Sequence, residues 1–488
     1  MNLLCRIILW PLVLTPPLFA NLADSFGFSA KGIAMAGARV ANVNDWTSAY
    51  FNMAGLASPW PFLELSVYGT PITSPKGEPL SKDEIEALQK EERFYPSELG
   101  MSYLFQISVP VIEAASNHPT VKSNIEKATS NMSYGVVQLG LSFDFRNIVE
   151  TPQNLPIKLG LALAIRDSGV VATVSDTSAE SYNFLRLGRE AQRLVLISGL
   201  GFQVWKDRLS LGAGASMFAG GQGKFKMTDV DIDPTTNEQI PEQEVLLELT
   251  PSIAPVVGIQ YRQPLNIGTF LQRKELLIGI AYRGEQYMEL NPLSATATTG
   301  LLYINLPLRL SVLDFYTPHT ITYGISYFHT SDLRFHLDIE MQLWRNFRLS
   351  EAKDYYYKNK KNYQIDKFQN IYFYPKFASE IRLGTIIPQL RKEPLWARTG
   401  FAYQPAFTPD QVRETNFLDN DKFILALGVG YLLQPNKITK VATELNFGVQ
   451  WQIWTERTSQ KVIQDPLNPS YVYSADVIIL ALSASWRF

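Results

Sequence analysis

The sequence predicts an all-β protein, a transmembrane antiparallel β-barrel built from about 14 to 16 strand-like segments. Three observations predict it. Residues 477–488 alternate with period two: Ile478, Leu480, Leu482, Ala484, Trp486 and Phe488 share one face, Val477, Ile479, Ala481, Ser483, Ser485 and Arg487 the other. Beyond residue 20 no apolar run reaches the roughly 20 residues a membrane helix needs. The first 20 residues carry the pattern of an export signal.

That signal has Arg6, an apolar stretch from Ile7 to Phe19, and Leu18-Phe19-Ala20 as a cleavage site, so cleavage is expected near Ala20. Pro11, Pro16 and Pro17 interrupt the stretch, which argues against a first membrane helix. Cys5 is the only cysteine and would leave with the signal. Disulfides, iron–sulfur clusters and cysteine nucleophiles are then excluded.

Residues 21–57 do not alternate and are rich in glycine, alanine and serine. Three readings fit: a disordered arm, a short soluble domain, or a plug folded inside the lumen, where small residues let backbones approach closely.

Residues 58–488 are read as the barrel, with a first strand from about Phe62. Leu333, Phe335, Leu337, Ile339, Met341 and Leu343 interleave with Arg334, His336, Asp338, Glu340 and Gln342. Leu445, Phe447, Val449, Trp451 and Ile453 interleave with Glu444, Asn446, Gly448, Gln450 and Gln452. Phe423 to Tyr431 alternates mainly with small residues. A β-sandwich would alternate too, but these apolar faces end in Trp or Tyr and the opposite faces carry mid-strand charges. Long polar connections are expected at 71–98 (with a capping box at 81–84), 111–133, 228–244 and 350–376.

Composition narrows function. A formal net charge of −2 gives no electrostatic case for nucleic acid. No His-Glu-x-x-His spacing appears, and His118, His319, His329 and His336 are the only histidines. The expectation is no enzyme, no metal and no cofactor.

The stretch from Gly27-Phe28 through Asn44-Asp45 to Asn52-Met53-Ala54-Gly55-Leu56 resembles the hatch of the FadL/TodX transporters, which typically carry Asn-Pro-Ala there. The resemblance continues through Leu209-Ser-Leu-Gly-Ala-Gly-Ala215, Leu277-Ile-Gly-Ile-Ala-Tyr-Arg283, Ile304-Asn-Leu-Pro307 and Leu343-Trp344-Arg-Asn-Phe347. It ends with Arg398-Thr-Gly-Phe-Ala-Tyr403, Pro409-Asp410, Leu418-Asp-Asn-Asp-Lys-Phe423 and Leu427-Gly-Val-Gly-Tyr431. It implies a 14-stranded outer-membrane barrel, generally monomeric, with an N-terminal hatch. Long-chain fatty acids or aromatic hydrocarbons would enter from outside and leave sideways. Phe26, Phe28, Asn52, Met53, Ala54 and Gly55 are the implied hatch and gating residues. Met53 and Leu418 depart from the family by replacing prolines, which would leave the hatch backbone less constrained.

A fatty acid needs a cation for its carboxylate. The resemblance implies Lys226, with Lys224 adjacent, as one cation, and Lys367 or Lys376 as a second. The bland alternative for each is a solvated loop charge. Without such a cation a neutral hydrocarbon becomes the substrate. The inward charges Arg334, Asp338, Glu340, Arg382, Arg398, Glu444 and Arg487 read either as a structural ion-pair ladder or as a polar track or latch on the hatch. Expected partners are hydrophobic small molecules, outer-membrane lipid and lipopolysaccharide, and periplasmic chaperones and the barrel-assembly machinery through Phe488. A porin open to ions and an adhesin acting through its loops are the readings from other classes.

Overall fold

A strand that presents one apolar and one polar face is satisfied when a sheet closes on itself, because closure also removes every unpaired backbone edge. In the computed structural model, fourteen antiparallel strands close into a barrel. They are β1 (Glu98–Ala114), β2 (Tyr134–Asp144), β3 (Ile157–Arg166), β4 (Val195–Trp205), β5 (Leu209–Met217), β6 (Ile253–Leu265) and β7 (Lys274–Arg283). The other seven are β8 (His319–Phe328), β9 (Leu333–Leu343), β10 (Ile371–Arg382), β11 (Leu395–Gln404), β12 (Lys422–Leu433), β13 (Ala442–Ser459) and β14 (Tyr471–Arg487). β14 returns to β1, with Glu98 opposite Arg487 and Ala114 opposite Tyr471.

The structure describes residues 27–58, 97–130, 132–148, 156–166, 182–187, 195–205, 208–217, 221–227, 231–233, 238–239, 243–249, 253–265, 274–289, 313–330, 332–344, 371–390, 394–412, 415–433, 441–462 and 465–487. The export signal, Phe26, Lys367, Phe488, the capping box and the strand expected from Phe62 lie outside them. Among the described residues the sheet closes by β1 pairing directly with β14.

Facing follows the alternation. On β14, Ile478, Leu480 and Leu482 are exposed while Val477, Ile479 and Ala481 are buried. On β9, Phe335, Leu337 and Ile339 face out, and Arg334, His336 and Asp338 face in. β1 presents Leu99, Met101, Tyr103, Phe105, Ile107, Val109 and Val111 outward. So continuous an apolar girdle fits lipid and not water.

Connections at one end are short, as at 206–208, 329–332 and 434–441. Those at the other end are longer: 115–133, 167–194, 218–252, 284–318, 344–370, 405–421 and 460–470. Two expected loop boundaries are corrected. The connection placed at 111–133 starts only after Ala114, and it contains a helix over Pro119–Thr129. The connection placed at 350–376 ends before Ile371, where β10 begins. Tyr372, Tyr374 and Lys376 looked like loop residues because of their polar tips. They are the inward set of a strand whose outward set is Ile371, Phe373 and Phe377. The acidic stretch 228–244 carries strand pairs of its own, Asp231–Asp233 with Glu238–Gln239.

Candidate functional site

Residues 27–58 lie inside the barrel. A short helix, α1 (Ala30–Ala34), is capped by the Ser29 hydroxyl, which accepts from the Gly32 amide at 3.2 Å. It ends where Ala36 and Gly37 take positive φ of 48° and 81°, and the Gly37 amide donates to the Gly32 carbonyl at 2.9 Å. A second short helix, α2 (Ser48–Phe51), leads into a 3₁₀ turn over Met53–Ala57. Phe28 stacks on Tyr50 with centroids 4.8 Å apart and meets Trp46 at 5.4 Å. These contacts give a segment too short for its own core a small aromatic centre.

The barrel wall is shaped to receive this segment. Every barrel strand except β9, β10 and β14 contributes a glycine whose missing Cβ leaves room for it. Trp46 fills the space over Gly100 and Gly140, Leu56 over Gly160, and Met53 over Gly199 and Gly212. Asn52 sits against Gly258, the Val40 carbonyl against Gly279, Ala41 against Gly324, Met35 against Gly400, and Ala34 against Gly428. At the gap in this belt, Asp338 of β9 accepts a hydrogen bond from the Val40 amide at 2.9 Å. Gln138 of β2 accepts from the Ser29 amide at 2.6 Å and donates to the Gly27 carbonyl at 3.1 Å.

Asn52 joins segment and wall. Its Nδ2 donates to the Val40 carbonyl at 2.9 Å and to the Ile259 carbonyl of β6 at 3.0 Å. Its Oδ1 accepts from the Ala54 amide at 3.1 Å, capping the following turn. Met53 and Ala54 are fully buried beside it. The turn therefore forms without a proline at 53, held by the Asn52 cap and by packing.

On the short-turn side of the segment lies a layer of buried charge. Arg398 donates to Glu380 and to Asn446, each at 2.7 Å, and stands 3.6 Å from Glu444. Arg487 bridges Glu444 and Glu98. Lys31 of the segment is 3.8 Å from both Asp45 and Glu444, and Glu98 accepts from the Trp46 amide at 2.8 Å. The expected ladder thus exists, and it also ties the segment to the wall. Within the segment Arg39 pairs with Asp45 at 2.7 Å. Burial pushes the Asp45 carboxyl up, but Arg39 and Lys31 outweigh it and hold it well below the usual carboxylate range.

His336 stands 2.8 Å from Ser326 and 3.6 Å from Glu380, a neighbourhood that no local motif revealed. The residue types suit nucleophilic catalysis, but Ser326 and His336 are each only 1% exposed and Asn42 of the segment lies 3.4 Å from the imidazole. The seated segment covers this pair.

On the long-loop side of the segment is a cavity of about 110 Å³, lined by Tyr50, Phe51, Tyr282, Arg283, Glu340, Tyr374, Lys376, Gln450 and Gln452 among others. A cavity of about 150 Å³ holds a single benzene. This one is somewhat smaller. Lys376 lines it from β10, which corrects its placement in a loop, and it is ion-paired with Glu340. Lys224 and Lys226 lie on a hairpin of the 218–252 connection, their backbones opposite Leu246 and Glu244 and outside the barrel sheet.

Above the cavity two long connections lock together. Asn183 and Phe184 pair in parallel with Phe417 and Leu418. Arg186 donates to Asp419 through Nε at 2.8 Å, and its guanidinium covers the Phe407 ring at 5.0 Å. Phe407 in turn stacks on Trp344, with centroids 3.7 Å apart.

No protein-family model matches the chain. Alkane uptake protein A of Marinobacter nauticus is 24% identical over 352 residues, covering 68% of this chain and 71% of that protein. The crystal structure of a Pseudomonas aeruginosa FadL homologue superimposes with a TM-score of 0.53 at 12% identity, over 97% of this chain and all of that one. The P. putida toluene transporter TodX overlaps less closely, with a TM-score of 0.45 at 11% identity over 95% of this chain and 99% of its own. Fourteen closed strands around a segment seated in the lumen give this chain the fold of that FadL homologue, and its sequence is similar to that of the alkane uptake protein.

Proposed function

We propose that this barrel takes up hydrophobic compounds across the outer membrane, long-chain fatty acids foremost, with residues 27–58 as a hatch and a lateral exit through the wall. The observation that carries this reading is the glycine belt, a wall shaped around one particular plug. An open porin has no use for such a seat. The solute enters at the long-loop end, and the cavity beside Tyr50 and Phe51 receives its leading part. Each buried methylene stabilises it by about 0.8 kcal/mol, which lets the pocket compete with the outer leaflet. Straight passage is opposed by the charge layer of Glu98, Arg487, Glu444, Arg398 and Glu380. Moving an apolar chain through those groups costs their hydrogen bonds, so release between strands into the bilayer is the lower path.

Neutral hydrocarbons are the second reading, favoured by the similarity to an alkane uptake protein and by Lys376 being neutralised by Glu340.

The test is binding of oleate and of hexadecane to the detergent-purified protein, with planar-bilayer conductance alongside. Binding with silent bilayers is the expected result. Steady ion conductance with neither ligand bound would replace this reading with a porin.

A further inference from the structure

We propose that the seam between β10 and β11 is a side entrance, through which an apolar chain dissolved in the outer leaflet reaches the lumen cavity. The inference rests on the uptake reading above. The ladder between these two strands runs from Arg382 opposite Trp396 up to Lys376 opposite Ala402, and stops there. Its seven pairs make it the shortest ladder of the barrel among the described residues. β10 itself continues towards the long-loop end, paired with β9 as far as Ile371 opposite Leu343.

The residues explain the stop. The next pair would be Pro375 with Tyr403, and a proline has no N–H to give to a ladder. Pro405 lacks one too, and the amides that follow it are engaged elsewhere. Ala406 donates to Asp421 at 2.7 Å and Phe407 to Asp419 at 2.9 Å. The chain leaving β11 is thus tied to the residues before β12 and not laddered to β10. Across the seam, the Tyr372 hydroxyl donates to the Phe407 carbonyl at 2.7 Å.

The cavity meets the wall at this place. Tyr374 and Lys376 line it from β10, Ala402 and Gln404 from β11. Tyr403 lines it as well, although alternation sets Tyr403 on the outward face with Phe401, and it packs on the outward Phe423 at 5.2 Å. A side chain that belongs to both the lipid face and the cavity marks a thin part of the wall. Outside, Phe373, Phe377 and Phe401 are exposed, so the seam opens among apolar groups. Above, the cavity is covered by the paired connections at 183–184 and 417–418 and by the Trp344–Phe407 stack. Parting a laddered pair of strands breaks backbone hydrogen bonds that lipid cannot replace. Above Lys376 the seam has no ladder to break, so the side is the easier way in for a solute that already resides in the leaflet.

The experiment uses the protein in lipid nanodiscs, with Pro375→Cys and Tyr403→Cys introduced together so that oxidation staples the seam. A short bismaleimide joins the pair if the disulfide does not form. Tyr403→Cys alone, carrying a bulky maleimide adduct, replaces the pair should it not fold. Phe447→Cys with Leu482→Cys, opposite each other on the outer face of β13 and β14, is the control staple. Heat-shifted gel mobility verifies that each barrel is folded. cis-Parinaric acid is supplied in the lipid, and its loading is followed by energy transfer from the protein's tryptophans. Expected is loading slower by about tenfold or more when the seam is stapled or blocked, with the control staple without effect. Loading as fast with the seam stapled, or slowed equally by the control staple, overturns the entrance while the uptake reading stands. No loading of the wild type removes both.

Discussion

Replacing Gly212 with leucine should unseat the hatch. A Cβ on Gly212 would stand 2.3 Å from the Met53 carbonyl carbon and 2.5 Å from the Ala54 nitrogen. Ordinary carbon contacts are about 3.5–4.0 Å, so the backbone must withdraw by more than about 1 Å before the rest of the leucine is accommodated. These neighbours are main chain and cannot rotate away. Overpacking of this kind costs about 1–3 kcal/mol. Withdrawal also stretches the bonds from Asn52 to the Val40 and Ile259 carbonyls, each worth about 0.5–1.5 kcal/mol. Taking a seat from 99% closed to 99% open requires about 5.5 kcal/mol, so a large open fraction is expected. Single-channel recording in planar bilayers reads it directly: wild type silent, Gly212→Leu conducting. Ala213→Leu is the control, because residue 213 is exposed on the outer face of the same strand. A folded Gly212→Leu barrel as silent as the control would refute the seating argument.

Two further outcomes are expected. Asn52→Ala removes both bonds to carbonyls and the cap on Ala54, and should loosen the seat by about 1–3 kcal/mol, seen as faster amide exchange over residues 53–57. Acid should open the hatch. The seated Asp45 carboxyl binds protons less readily than the released one, so the seat's advantage is complete above about pH 4 and is lost as pH falls further. Loss of the Asp45 contribution should therefore raise wild-type conductance as pH falls below about 4, whereas Asp45→Asn leaves Arg39 without its anion and should leak at neutral pH. Leakage with the same pH onset in both proteins would assign the transition to another group.

Much of the wall could be read from one dimension. The inward position of Arg334, His336 and Asp338 follows from their alternation with Phe335 and Leu337, because a strand has only two faces. The glycine belt was partly visible, as small residues on one face of Leu209–Met217 and Lys422–Leu433. Its meaning was not visible, since a glycine on an inward face signals a close approach only when the approaching chain is known. The site lysines were harder. Lys376 sits among tyrosines that imitate loop composition, and its neutralisation depends on Glu340 standing on the adjacent strand.

By itself the sequence determined the class of protein, the in-or-out facing of its strands and the presence of a segment unlike them. These are local properties, set by side-chain period and by the need to hide backbone polar groups from lipid. Only the tertiary structure decided where that segment sits and which charges cancel. Those depend on register, and a shift of one residue in any strand pair would exchange every partner across it.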